Sequence, residues 1–370
     1  MDNNLIYMPT FRVRQQETLV LKSFNFGENM YPLIEIVKEY DRSRKVDVLR
    51  SFESIHNELI QSIQAQHVFV DLPLYLKQSG AVQDEVVAFS LRVIDNPDKR
   101  CEYLNKLSIS SPKTIPVISS YLLKTGASGT IELQFALLSP NFERIAFRLF
   151  PRSFKEDFSI VAHLVRPNDY IIIDLGQISP FPKSPPLHSI VAALNNFTGC
   201  CKILLRSAIN SEIQNVKLDH DQVVFDADNS HIDTDIMESF GVNATGDFVG
   251  VKKDNLTAGG TISPGFIYYD ATENQYYGYR ADIRELVQFE NKIVPDILAS
   301  EATCRMLQNN PPYVGIANQG FVTLQNIEAG GESGKSQAKF KRIAMEHYLY
   351  CMQINIQTNK LRQTNIIDHR

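Results

Sequence analysis

The chain has 370 residues, 37 Lys and Arg against 42 Asp and Glu, and a formal charge of -5. So balanced a chain cannot generate the strong positive field that nonspecific nucleic-acid binding needs, which excludes a histone-like or polybasic role and leaves only local patches. With 44% hydrophobic and 21% charged residues it is neither disordered nor membrane-like in composition.

Apolar runs bounded by polar or turn residues recur through the first two thirds, the pattern of buried parallel strands. In chain order they are Leu5 to Phe11, Tyr31 to Val37, His67 to Leu72, Thr114 to Ser119, Ile145 to Phe150, Tyr170 to Leu175, Lys202 to Leu205 and Phe248 to Val251. Stretches between them, such as Asp47 to Gln64 and Ala81 to Val93, return apolar residues every three or four positions and predict helices. Eight alternating units predict an α/β fold of the (β/α)8 TIM-barrel type. An open doubly wound sheet is the rival, but no G-x-G-x-x-G follows the first strand.

Past residue 255 the texture changes. The Gly259 to Gly265 segment is turn chemistry, and Phe266 to Tyr269 with Gln275 to Tyr279 predicts an aromatic hairpin closed by Asp270 to Asn274. Helices are predicted over Arg284 to Met306 and from Ser336 to Met352. The expected organisation is a barrel over 1–255, an added hairpin and C-terminal helices over 256–356, and a polar tail over 357–370. No apolar run approaches the length of a membrane span, and Met1-Asp2-Asn3-Asn4 lacks the pattern of a secretory signal, so the expected location is cytoplasmic, with no membrane partner. Five cysteines without CxxC spacing suggest neither disulfides nor a zinc ribbon, and Cys200 and Cys201 are expected to be buried.

Barrel chemistry gathers where the strands end at their carboxyl rim. Glu35, Asp71 and Asp174 each close an apolar strand with a carboxylate, Arg206 closes one with a guanidinium, and the first strand runs out into Arg12 and Arg14. A carboxylate in a hydrophobic run must be paired, hydrogen-bonded or bound to metal. The functional reading is a cluster of Glu35, Asp71 and Asp174 as catalytic groups or ligands of a divalent metal, with Arg14 and Arg206 on a phosphate. The competing reading is a structural ion-pair network.

Ala329 to Ser336 fits a relaxed P-loop pattern, with Phe321 to Ile327 as a candidate strand before it, but no later strand supplies a magnesium-holding acid. A glycine loop capping a helix explains it as well. No G-x-S-x-G is present, and the histidines, including His220 between two aspartates, have no evident partners. The hairpin tyrosines suit packing better than base stacking.

Three blocks together resemble the beta-protein family, first named from a bacteriophage. They are Tyr7-Met8-Pro9-Thr10-Phe11-Arg12-Val13-Arg14-Gln15-Gln16-Glu17, then Pro32-Leu33-Ile34-Glu35, then Phe240-Gly241 with Gly246-Asp247-Phe248 and Ser263-Pro264-Gly265-Phe266. Val13 and Gln16 depart from the small residues frequent in that family, and the insert from Ser207 to Asn243 leaves the eighth strand uncertain. The resemblance implies a barrel-like fold in bacteria and phages and a setting of phage defence or mobile elements, with an effector or nuclease partner encoded nearby. It singles out Arg14, Glu17, Glu35 and Asp247, the last as a ligand-binding residue.

The reading that joins these lines is a barrel binding a phosphate-bearing ligand, a nucleotide or nucleic acid, at its rim. As an enzyme it would be a metal-dependent phosphodiesterase or nucleotide hydrolase. The alternative is a non-catalytic partner subunit of a defence complex.

Overall fold

A computed structural model describes residues 4–39, 50–74, 82, 84–181, 185–253, 264–308 and 313–363. Eight parallel strands close into a barrel: β1 (Tyr7–Arg12), β2 (Leu33–Glu35), β3 (Val68–Asp71), β4 (Thr114–Ser119), β5 (Ala146–Leu149), β6 (Tyr170–Asp174), β7 (Cys201–Leu205) and β8 (Ala244–Asp247). Neighbours in sequence are neighbours in the ring, and β1 closes it by pairing with both β8 and β2.

Strand periodicity sorts the side chains into two compartments. Met8, Leu33, Phe69, Val117, Ala146 and Ile172 belong to one buried cluster inside the ring. Their immediate neighbours, such as Tyr7, Ile34, Val70, Ile118, Phe147 and Ile173, belong to a second cluster between the strands and the outer layer. Both faces being covered, the strands read as continuous apolar runs.

The outer layer includes α1 (Gln15–Ser23), α2 (Phe52–Ser62), α3 (Asp84–Ile94), α4 (Pro97–Asn105), α5 (Thr130–Leu138), α6 (Phe154–Leu164), α7 (Pro185–Asn195) and α8 (Thr234–Phe240). Caps fix several starts: the Ser51 hydroxyl accepts from the Ser54 amide at 3.2 Å, and the Asn96 side chain from the Lys99 amide at 3.0 Å. After the barrel come the hairpin β9 (Gly265–Asp270) and β10 (Gln275–Arg280), and then α9 (Val294–Ala299), α10 (Glu301–Gln308), α11 (Gln319–Glu328) and α12 (Gln337–Gln357).

Seven strands fall where the apolar runs predict them; the eighth does not. Phe248 to Val251 is a tight turn, with Val249 at φ 58° and Gly250 at φ 66°, and the strand is the preceding Ala-Thr-Gly-Asp. That segment carries almost no apolar signal because its middle residue is squeezed: a Cβ on Gly246 would lie 2.5 Å from the Met8 carbonyl oxygen. The single helix predicted over Arg284 to Met306 is broken into a π-turn at Phe289–Ile293 and the separate α9 and α10, with Ser300 between them in extended conformation. Phe321 to Ile327 is not a strand but part of α11, capped by Asn318.

Candidate functional site

Glu35, Asp71 and Asp174 do converge, and the group that gathers them is Arg148. Each acid lies two residues beyond an inward-facing apolar residue, as Arg148 lies two beyond Ala146, so the pleat aims all four into the carboxyl mouth of the ring. Arg148 donates through Nε to Asp174 at 3.0 Å and through its terminal nitrogens to Asp174 at 2.5 Å and Asp71 at 2.6 Å; Glu35 lies 3.7 Å away. Arg12 pairs with Glu35 at 2.8 Å. From behind, Arg100 of α4, fully buried, contacts Asp71 and donates to the carbonyls of Leu72 at 2.9 Å and Val117 at 3.3 Å. No member is more than 6% exposed.

Burial alone would push the Glu35 carboxyl up, but the Arg12 guanidinium, with Lys253 and Arg148, outweighs it and holds the group below its ordinary value. Asp174 follows the same logic, its burial overcome by Arg148, Lys253 and the Gly176 amide. The Arg148 guanidinium is itself held in its charged form: burial opposes that form, and Asp174, Asp71 and Glu35 restore it. Glu35 and Asp174 are therefore held toward their charged forms and engaged, which suits them to hold arginines and not to donate protons.

A divalent metal does not fit this arrangement. The acids meet a guanidinium where a cation would sit, and among the described residues no group of three or more His, Cys, Asp or Glu side chains is placed to hold a metal ion. Two hydroxyls share the inward face, Thr10 two residues past Met8 and Ser119 two past Val117. They are 2% and 1% exposed, and neither side-chain oxygen has a hydrogen-bond partner among the described residues.

The remaining predicted residues lie elsewhere. Arg206 follows the inward-facing Leu205 and so points out of the barrel, where it donates to the Ile178 carbonyl at 3.0 Å and pairs with Asp228 at 3.1 Å. Arg14 sits two residues beyond the strand, half-buried at the N-cap of α1. Asp247 also faces outward. It accepts from the Tyr7 hydroxyl at 2.7 Å, the Val249 amide at 2.7 Å and the Tyr348 hydroxyl of α12, with His231 Nε2 at 3.6 Å. Its role here is to hold the turn after β8 and dock α12 on the barrel wall. Glu17 is buried and paired with Lys341 of α12.

Sequence reasoning passed over Arg148 although it is the single charge inside the apolar run Ile145 to Phe150, the same signal that marked the acids. Arg100, in a polar helix, gave no such signal. The glycine loop at 329–336 is no P-loop: a helix precedes it, and the Gly334 amide at 2.7 Å and the Ser333 hydroxyl at 3.0 Å both donate to Glu290. The hairpin tyrosines pack inward, Tyr269 against Tyr348 with ring centres 4.7 Å apart, so Tyr268, Tyr269, Tyr276 and Tyr279 present no face to a base.

A cleft adjoins the mouth where the end of β1, the turn after β8 and α12 meet. It is lined by Thr10, Arg12, Glu17, Phe248, Lys252 and Lys341, with Phe11, Val251 and Met345, and holds about 10 Å³, room for one water-sized atom. Among the described residues no helix is long and apolar enough to cross a membrane.

No curated protein matches the chain. Among solved structures it is similar to the Ignisphaera aggregans GH53 catalytic domain, at 9% identity over 67% of this chain and 81% of that one, with a TM-score of 0.35. The profile of the Beta protein family matches residues 7–353, nearly the whole length, and the chain belongs to that family.

Proposed function

We propose that the protein binds a phosphate-bearing ligand at the carboxyl mouth of its barrel, without a metal ion. The observation that carries this reading is the pairing of excess positive charge with unmet hydrogen-bonding capacity at one rim. Arg12, Arg100, Arg148 and Lys253 stand against Glu35, Asp71 and Asp174, and the buried hydroxyls of Thr10 and Ser119 have no protein partner among the described residues. Buried hydroxyls are ordinarily satisfied, so a ligand or ordered water is the natural complement. Low-lying carboxyls make proton transfer a poor use of Glu35 and Asp174, so the reading is of binding, with the acids aligning the guanidiniums. The defence setting and a co-encoded partner rest on the family resemblance alone.

The competing role, a non-catalytic scaffold subunit, is favoured by the way Arg148 and its three acids satisfy one another. Calorimetric titration with nucleoside mono-, di- and triphosphates and a short single-stranded oligonucleotide, in EDTA, separates the two. The expected result is saturable binding that Ser119→Ala and Lys253→Gln each weaken about tenfold, near the upper end of what one hydrogen bond contributes. Absence of binding across that panel, with the fold intact, leaves the scaffold role.

A further inference from the structure

We infer that the cleft beside the mouth is the phosphate subsite, and that its occupant is a terminal phosphate of a small ester and not an internal phosphodiester of a nucleic-acid strand. This deepens the reading above and rests on it for the rest of the ligand. The cleft lies between the end of β1, the turn after β8 and α12, and three cations line it, Arg12, Lys252 and Lys341, against one acid, Glu17. Arg12 is 6% exposed and reaches both spaces: it lines the cleft while its Nε pairs with Glu35 at 2.8 Å in the mouth. The Thr10 hydroxyl, 2% exposed, lines the cleft as well and has no hydrogen-bond partner among the described residues. A buried hydroxyl that nothing meets is costly, so its retention beside three cations points to an oxygen acceptor that arrives from outside.

Charge selects the class of ligand. A volume of about 10 Å³ takes one oxygen atom, so a phosphate would seat one oxygen in the cleft and lie across its opening, where the cations attract the others. A terminal phosphate brings three free oxygens and about two negative charges to Arg12, Lys252 and Lys341, whereas an internal phosphodiester brings two free oxygens and a single charge.

The walls are held rigidly for this purpose. Val249 stands at φ 58°, a conformation a β-branched residue resists, and its amide is tied to Asp247 at 2.7 Å. Next to it Gly250 stands at φ 66° against Tyr348, whose ring a Cβ there would meet at 2.6 Å. Strain of this kind persists only where the surroundings impose it, and here it sets Phe248 and Lys252 on the cleft wall.

The test uses the full chain and inorganic phosphate as the probe, read by thermal shift and calorimetry, then adenosine monophosphate and a short oligonucleotide lacking terminal phosphates. Expected are saturable binding of phosphate and the monophosphate, no competition by the unphosphorylated oligonucleotide, and about tenfold weaker phosphate binding in both Thr10→Val and Lys252→Gln. Thr10→Val should melt at or above the wild-type temperature without ligand, because it removes an unsatisfied group, which separates loss of binding from loss of fold. Lys155→Gln, on α6, controls for net charge. If Lys155→Gln weakens phosphate as much as Lys252→Gln does, or if Thr10→Val binds phosphate normally, the subsite is wrong. If nucleotides bind and respond to Ser119→Ala and Lys253→Gln but not to Thr10→Val and Lys252→Gln, the mouth reading survives and this one fails. Competition by the unphosphorylated oligonucleotide also overturns it.

Discussion

Arg148 shows how a buried charge sets the pH response of a fold. Its three acids come from three different strands, and two of them, Glu35 and Asp174, have carboxyls held below their ordinary values. A group lowered on folding contributes stability that is fully present above its unfolded value, here 4.5 and 3.8, and is lost as the pH falls below it. Removing the guanidinium inverts this. In Arg148→Ala the desolvation that already acts on Asp174 is no longer countered at close range, so its value rises, while Arg12 at 2.8 Å still holds Glu35. A raised acid contributes stability below its unfolded value that is lost as pH increases through the folded value. Arg148→Ala should therefore lose about 3–5 kcal/mol at neutral pH, the scale for breaking a buried ion pair, and regain part of it toward pH 5. Urea melts between pH 4 and 8 check this. A variant whose stability runs parallel to wild type across that range would show that the acids do not depend on Arg148. This residue was legible in principle, since one charge inside an apolar strand is the signal that marked Glu35, Asp71 and Asp174. What the sequence could not supply was the pairing, because which inward positions meet across the mouth depends on the stagger of the closed ring.

At the scale of elements, seven barrel strands were legible because each is apolar on both faces, while β8 hid behind Thr-Gly-Asp and a neighbouring Phe248 to Val251 run that looks more like a strand than the real one. The decoy is instructive. Phe248, Val249 and Gly250 are buried not by strand pairing but by a turn that Asp247 clamps and α12 covers, and periodicity cannot distinguish those two reasons for being apolar. Arg206 and Asp247 fall outside the mouth for a related reason: each lies one step from an inward residue, and a shift of one position along a strand moves a side chain to the opposite face. The turn itself invites a direct test. Gly250→Ala adds a Cβ that would lie 2.6 Å from the Tyr348 ring at a φ of 66°. Both effects act in the same direction, and we expect a loss of about 2–4 kcal/mol in chemical denaturation, at the upper end of single substitutions. Gly126, also at positive φ (74°) but with open space around a Cβ, is the control: Gly126→Ala should cost about 1 kcal/mol from backbone strain alone. Equal losses at the two sites would mean that the Tyr348 contact contributes nothing.

For the whole molecule, the question is whether the barrel stands without the elements that follow it. The outer hydrophobic cluster runs without a break from Tyr7, Phe11 and Ile34 on the barrel wall to Tyr268, Tyr276, Phe340 and Tyr348 on the hairpin and α12. A polar joint crosses the same boundary: Asp247 takes the hydroxyls of Tyr7 and Tyr348, and Asn229 donates to the Tyr348 hydroxyl at 3.0 Å and accepts from Tyr276 at 3.1 Å. Cutting the chain at 255 would expose that cluster and leave the Asp247 carboxylate facing water through a vacant groove, an apolar patch of the kind soluble monomers avoid. We therefore expect residues 1–255 alone to aggregate or remain unfolded, and the intact chain to unfold in one calorimetric transition, unlike a pair of independent domains. Two point variants measure the joint without truncation. Tyr348→Phe removes one donor to Asp247 and should cost about 1–3 kcal/mol, and Asp247→Asn more, since it disturbs three donors at once. Because both act on the same carboxylate, the double variant should fall well short of the sum of the singles. Additive losses, or a second melting transition in the intact chain, would separate the barrel from its C-terminal cover and make the cleft between them a movable boundary, not a fixed wall.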